Sequence, residues 1–178
     1  MSDIEKLRYP IGEFSPKDSY TAEEISSNII TIENFPAKLQ MEVEDMTDEQ
    51  LDTRYRPAGW TVRQVVHHVV DSHVNSYVRF KLTLTEDAPT IKPYYEDRWA
   101  ELPEAKSAPV SISLPLLDAL HKRWVTMLRN ISPEQLKRKF HHPESGKDIA
   151  LDEVIHLYAW HSSHHLAHIT ELKKKMNW

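Results

Sequence analysis

Apolar residues recur along this chain at helical spacing, and the stretches that carry them open on one repeated signal. At Thr21-Ala22-Glu23-Glu24 a hydroxyl is followed three residues later by a carboxylate, so each side chain can satisfy a backbone N–H of the other at a helix start. Ile25, Ile29, Ile32, Leu39, Val43 and Met46 then fall on one face, which predicts a long helix with Pro36 as a point of kinking. Thr47-Asp48-Glu49-Gln50 repeats the signal before a short helical turn, and Pro57, Ala58 and Gly59 mark a loop. Thr61-Val62-Arg63-Gln64 repeats it again; Val62, Val65, Val66, Val69, Tyr77 and Phe80 define a second long helix that ends near Glu86. Between Asp87 and Val110, prolines at 89, 93, 103 and 109 predict an ordered crossover carrying at most short helices. Ser113 and Pro115 open a third helix that runs to about Asn130, with Leu117, Leu120, Trp124, Met127 and Ile131 at 3-4 spacing. Ser132-Pro133-Glu134-Gln135 caps a short one, Lys137 to Ile149 reads as a turn or small hairpin, and a last helix runs from about Leu151 to Met176.

Residues 1–20, with Pro10, Gly12 and Pro16, lack this periodicity and read as an extended arm lying over the rest. The pattern predicts an all-α fold in one domain spanning residues 1–178. The expected architecture is a four-helix bundle with a long crossover between helices two and three and short extra helices. An internal echo, Met46 to Leu51 against Ile131 to Leu136, suggests pseudo-twofold organisation, since each copy precedes a loop and then a histidine-bearing helix.

Composition narrows the partners. Three glycines in 178 residues argue against a turn-rich β fold, and a net charge of -5 offers little attraction to phosphate, so neither nucleic acid nor an anionic membrane is expected. The absence of cysteine excludes disulfides and thiolate metal ligands and fits a reducing compartment. Met1 to Pro10 carries Asp3, Glu5, Lys6 and Arg8 without the apolar core of a secretory signal, and a cytoplasmic location is expected.

Histidine is the unusual residue. Of 11, seven lie in two segments: His67, His68 and His73 on the second helix, and His161, His164, His165 and His168 on the last. Residues four apart share a helix face, so His161 with His165, or His164 with His168, can both reach one ion. At about 100° per residue, the apolar stripe through Leu151, Val154, Tyr158, Ile169 and Leu172 passes nearest His165, then His161, then His168, with His164 pointing further outward. His161 and His165 are therefore the better pair. A third ligand must come from another helix; periodicity alone puts His73 nearest the second helix's apolar stripe and His68 to its side. A lone helical histidine is more often a surface or core residue than a ligand. Several on one face repel if protonated and are costly if unpaired, and a divalent metal ion is the simplest compensation. Asp71 is either an acceptor for an imidazole N–H or an exposed carboxylate. His121, His141, His142 and His156 lack partners at ligand spacing and are read as structural.

Three segments then carry a resemblance: Tyr9-Pro10-Ile11-Gly12; Gly59-Trp60-Thr61-Val62-Arg63-Gln64-Val65-Val66-His67-His68 with Asp71-Ser72-His73; and Trp160-His161 through His165-Leu166-Ala167-His168. Over nearly its whole length the chain resembles the DinB/YfiT-like family of metal-dependent enzymes, in its YfiT branch. The resemblance implies a four-helix bundle holding a metal through three histidines, which carry over to His68, eight residues after Trp60, and to His161 and His165. His73 then yields to His68 as a ligand, and Asp71, His73, His164 and His168 become candidates to support the ligands. It also implies one divalent ion per chain, Zn²⁺ first and Ni²⁺ as alternative, completed by water, and a homodimer. Three neutral ligands leave the ion's charge uncompensated, so a bound water or thiol loses its proton more readily. The expected activity is hydrolysis of a small-molecule substrate. Transfer of a low-molecular-weight thiol, as in the related bacillithiol and mycothiol transferases, is the alternative, and a non-catalytic metal-binding stress protein is the rival of another class.

Overall fold

The computed structural model describes residues 3–178. The chain runs through α1 (Asp3–Arg8), α2 (Ala22–Val43), α3 (Asp48–Leu51), α4 (Val62–Thr85), α5 (Glu96–Trp99), α6 (Pro103–Ser107), a 3-10 turn (Val110–Ile112), α7 (Ser113–Leu128), α8 (Pro133–Leu136), strands β1 (Lys139–His142) and β2 (Lys147–Ala150), and α9 (Leu151–Met176). All four capping signals form reciprocal caps: Thr21 with Glu24, Thr47 with Gln50, Thr61 with Gln64 and Ser132 with Gln135. Helix α2 continues through Pro36 as one element. No helix among the described residues is long and apolar enough to cross a membrane.

Four long helices form the bundle, and of the pairs consecutive in the chain only α4 and α7 pack closely on each other. Helix α2 packs mainly on α7 and α9, and α4 likewise on α7 and α9, which places α2 opposite α4 and α7 opposite α9. The crossover between α4 and α7 is held down by the first turns of α4. Gln64 donates through Nε2 to the Ala100 carbonyl at 2.7 Å, and Arg63, 4% exposed, donates to Asp52 and Asp48 at 2.6 and 2.7 Å and to the Ala108 carbonyl at 3.1 Å. The β1–β2 hairpin pairs Lys139 with Ala150 and His142 with Lys147, and Ile91 donates its N–H to the His141 carbonyl at 3.1 Å, which stitches the crossover to the hairpin.

The arm differs from expectation at its start, where Asp3–Arg8 is helical, with Lys6 and Arg8 in the last turn complementing the helix dipole. Docking on α9 fixes it there: His168 Nε2–H donates to the Arg8 carbonyl at 3.0 Å, and Trp160 Nε1–H to the Gly12 carbonyl at 3.2 Å. Gly12 makes the turn at φ +83°, a conformation costly for any residue with a Cβ.

The core is split in two. One apolar cluster includes Ile29, Ile32, Phe80, Trp124, Leu128, Leu151 and Ile155; the other includes Phe35, Leu39, Val43, Val62, Val66, Leu117 and Ile169. The change-over falls between Ile32 and Phe35 on α2, Val70 and Phe80 on α4, Leu117 and Trp124 on α7, and Ala159 and Leu166 on α9. The intervals on α4, α7 and α9 hold His73, His121, His161 and His165. A histidine layer therefore crosses the middle of the bundle, and Trp124 roofs it with ring contacts to His73, His121, Phe80 and Tyr158.

Two stability outcomes follow from this layer. Trp124→Ala should lower the unfolding free energy by about 3–5 kcal/mol. Trp124→Phe should cost clearly less, because it also deletes a buried indole N–H that has no acceptor; equal losses in urea unfolding would contradict this. His121, pushed down to about 4 mainly by burial, is held neutral in the folded state. Its contribution is present in full above the unfolded value near 6.5 and drains away as pH falls from there toward 4. Unfolding measured between pH 7.5 and 4 should show stability falling with acid, and a flat profile would count against a neutral His121.

Candidate metal centre

Helix α4 brings His68 to face His161 and His165, which stand one turn apart on α9. One ring nitrogen from each lies within 4.8 Å of the others. His68 and His165 are buried and His161 is half-buried. Trp60, the residue before the Thr61 cap, lays its indole 4.5 Å from the His68 ring and 6.4 Å from that of His165, fixing the side of the cluster nearest the helix start.

Burial, reinforced by His168 and His164, pushes His68 down to about 3. Burial and then the neighbouring imidazoles push His161 and His165 well below their ordinary value. All three are therefore neutral at physiological pH, with lone pairs available. The Nδ1 atoms of His164, His165 and His168 are buried without a hydrogen-bond partner, and such groups accumulate where a ligand is expected. A soft-to-borderline divalent cation fits this donor set.

The cluster opens on a cleft of about 460 Å³ whose wall includes Ser72, Arg79, Tyr94, His142 and Tyr158. Tyr158 donates to the Ser72 carbonyl at 3.2 Å, and its oxygen lies 3.3 Å from Ser72 Oγ. Burial pushes the Tyr94 phenol up, so it stays protonated. Arg79 Nε is buried without a partner, and no ion pair to Arg79 occurs among the described residues. A larger cleft, about 580 Å³, lies between the arm and the far side of α9. Of the α9 histidines it holds only His168, whose Nε2 is already committed to the Arg8 carbonyl, and the three-histidine cluster lines the smaller cleft.

The other candidates fall in different places. His73 is fully buried and bonds through Nε2 to His161 Nδ1 at 3.1 Å and through Nδ1 to His121 Nε2 at 2.7 Å. His164 does not point outward: it is 7% exposed, because the arm covers it with Tyr9 while Trp160 stacks on it at 4.4 Å. His168 stacks on Tyr55 at 3.9 Å. Neither is hydrogen-bonded to a member of the cluster. The Asp71 carboxyl makes no hydrogen bond to an imidazole; it is half-buried and raised to about 6, chiefly by burial and then by Glu104 of α6, on another side of α4. His67 spends its ring nitrogens on Ser113 Oγ at 2.8 Å and the Ala108 carbonyl at 3.1 Å. His121, read from spacing as structural and without partners, bonds to His73 and to the Ile32 carbonyl, a connection the sequence reasoning did not find. The available signal was its place on the apolar stripe of α7 between Leu117 and Trp124. His142, also read as structural, lines the cleft.

Comparison with known proteins agrees with this architecture. A protein of Bacillus subtilis (strain 168), named "Putative metal-dependent hydrolase YfiT", is 54% identical over 172 residues, covering 97% of each chain. A Bacillus cereus (strain B4264) protein carrying the same description is 57% identical over 172 residues, covering 97% of this chain and 98% of the relative. The solved structure of YfiT from Bacillus subtilis, described as having an unusual four-helix bundle topology, superposes with a TM-score of 0.95, covering 97% of this chain and 99% of that one. The model of the DinB superfamily matches residues 31–169. The chain belongs to the DinB superfamily.

Proposed function

We propose that the chain is a metal-dependent hydrolase in which His68, His161 and His165 hold one divalent cation, Zn²⁺ or Ni²⁺, and a small-molecule substrate lies in the adjoining cleft. The observation that carries this reading is the convergence of three neutral imidazole nitrogens within 4.8 Å at the floor of an open cleft. Three protein ligands leave coordination positions for water and substrate, which distinguishes a catalytic arrangement from a closed structural one. A cation held there supplies Lewis acidity, lowering the pKa of a water ligand and polarising a carbonyl group.

The remaining work falls to this chain's own side chains. Tyr158, fixed by Ser72, and the protonated Tyr94 present phenolic groups to the substrate, and Arg79 offers a cation for an anionic substituent. Trp60 packs against His68 and Trp160 against His164, lining the cleft with apolar rings. The names given to the relatives support hydrolysis.

Untagged, metal-stripped protein titrated with Zn²⁺ should take up one equivalent per chain by calorimetry. His68→Ala, His161→Ala and His165→Ala should each weaken binding by at least about 100-fold, beyond the effect typical of outer-shell changes. Turnover of a panel of esters and amides should fall to background in His165→Ala. Failure to bind metal, or hydrolysis undiminished in that variant, would refute the reading.

A further inference from the structure

Pro36 lies inside α2 and has no N–H, so the Ile32 carbonyl one turn earlier lacks its helical partner. Ile32 is fully buried, which keeps water from replacing that partner. His121 reaches across from α7 and places Nδ1 2.7 Å from the Ile32 oxygen. A carbonyl oxygen only accepts, so His121 must carry its proton on Nδ1. With one proton on a neutral ring, His121 Nε2 is a bare lone pair, and it lies 2.7 Å from His73 Nδ1. His73 must then be protonated on Nδ1, which leaves its Nε2 an acceptor 3.1 Å from His161 Nδ1. His161 in turn must carry its proton on Nδ1, leaving the Nε2 lone pair for the cluster with His68 and His165.

We propose that the Ile32 carbonyl freed by Pro36 sets the tautomers of His121, His73 and His161 in series, and that His121 and His73 are positioning residues presenting His161 Nε2 to the metal. The inference rests on the reading of His161 as a ligand and goes beyond it. The three bonds all run in one direction, and reversing any of them would set two N–H groups or two lone pairs against each other. His73 and His121 are buried, and the Nδ1 of half-buried His161 is paired with His73. A second effect is geometric: a ring held at Nδ1 can turn little about its χ2, so His161 is aimed before the ion arrives. An oriented ligand loses less freedom on binding, and outer partners of this kind are worth about 10–100-fold in metal affinity.

The test begins with metal-free, unmodified protein. Long-range ¹H–¹⁵N spectra of the imidazoles should show His121, His73 and His161 each protonated on Nδ1, the tautomer that free histidine disfavours. The Nε2–H form at any of the three would overturn the series. The second measurement uses His121→Phe, which keeps a ring in the layer but removes the link, with folding checked by circular dichroism. His161 should then show mixed tautomers, and Zn²⁺ affinity should fall about 10–100-fold. Unchanged tautomers and affinity in a folded variant would also overturn it. The two readings fail separately. If His161→Ala leaves Zn²⁺ affinity intact, the ligand assignment itself is wrong; if that variant loses binding while His121→Phe does not, only the series is wrong.

Discussion

Imidazoles taken out of water must find hydrogen-bond partners or a cation, and the mid-level of this bundle is built around that requirement. An unpaired polar group buried in a protein costs about 1–3 kcal/mol, and a protonated histidine there costs more. The two apolar clusters above and below bury His73 and His121, whose nitrogens are satisfied by one another, by His161 and by the Ile32 carbonyl. Three imidazole nitrogens without a hydrogen-bond partner, the Nδ1 atoms of His164, His165 and His168, lie instead on α9, in and beside the cluster. Among the imidazoles of the layer, the ring nitrogens are thus paired at His73 and His121 and partly unpaired at His164 and His165, on the side where the cleft opens.

Topology makes this layer possible. With α4 and α9 as neighbours across the bundle rather than along the chain, histidines 93 residues apart in sequence, His68 and His161, can face each other. The long connection that such an arrangement needs between α4 and α7 passes over α4, where Arg63, Gln64 and His67 bind its backbone, and contributes Tyr94 to the cleft. The arm closes the other flank by pairing with Trp160 and His168. Elements that look like connectors therefore form the walls of the site.

Much of this was legible in the residues. Capping pairs are local chemistry, and all four located their helix starts, as did the periodic apolar positions for the long helices. The i, i+4 spacing offered His161 with His165 and His164 with His168, and the apolar stripe of the last helix favoured the first pair. Choosing His68 over His73 was beyond periodicity, since His73 does occupy the apolar stripe; only the family motif pointed to His68. The role of His73 depends on a ring from α7, a contact of 48 residues' separation that no window on one helix reveals. His164 was misplaced because an angular argument ignores the arm that covers it. Asp71 could be either an imidazole's partner or an exposed carboxylate by spacing; it bonds no imidazole, and its neighbouring charge is Glu104 of α6. The helical start of the arm lacks periodicity of its own and is stabilised by docking.

The account depends on one cation sitting among nitrogens of His68, His161 and His165. A crystal structure of the Zn²⁺-loaded protein, with anomalous scattering recorded at the zinc edge, addresses that directly. The prediction is a single peak at about 2.0–2.1 Å from one nitrogen of each of these residues, Nε2 in the case of His161, with an open position toward Ser72 and Tyr94. A peak between His164 and His168, or a fourth protein ligand closing the site, would contradict it.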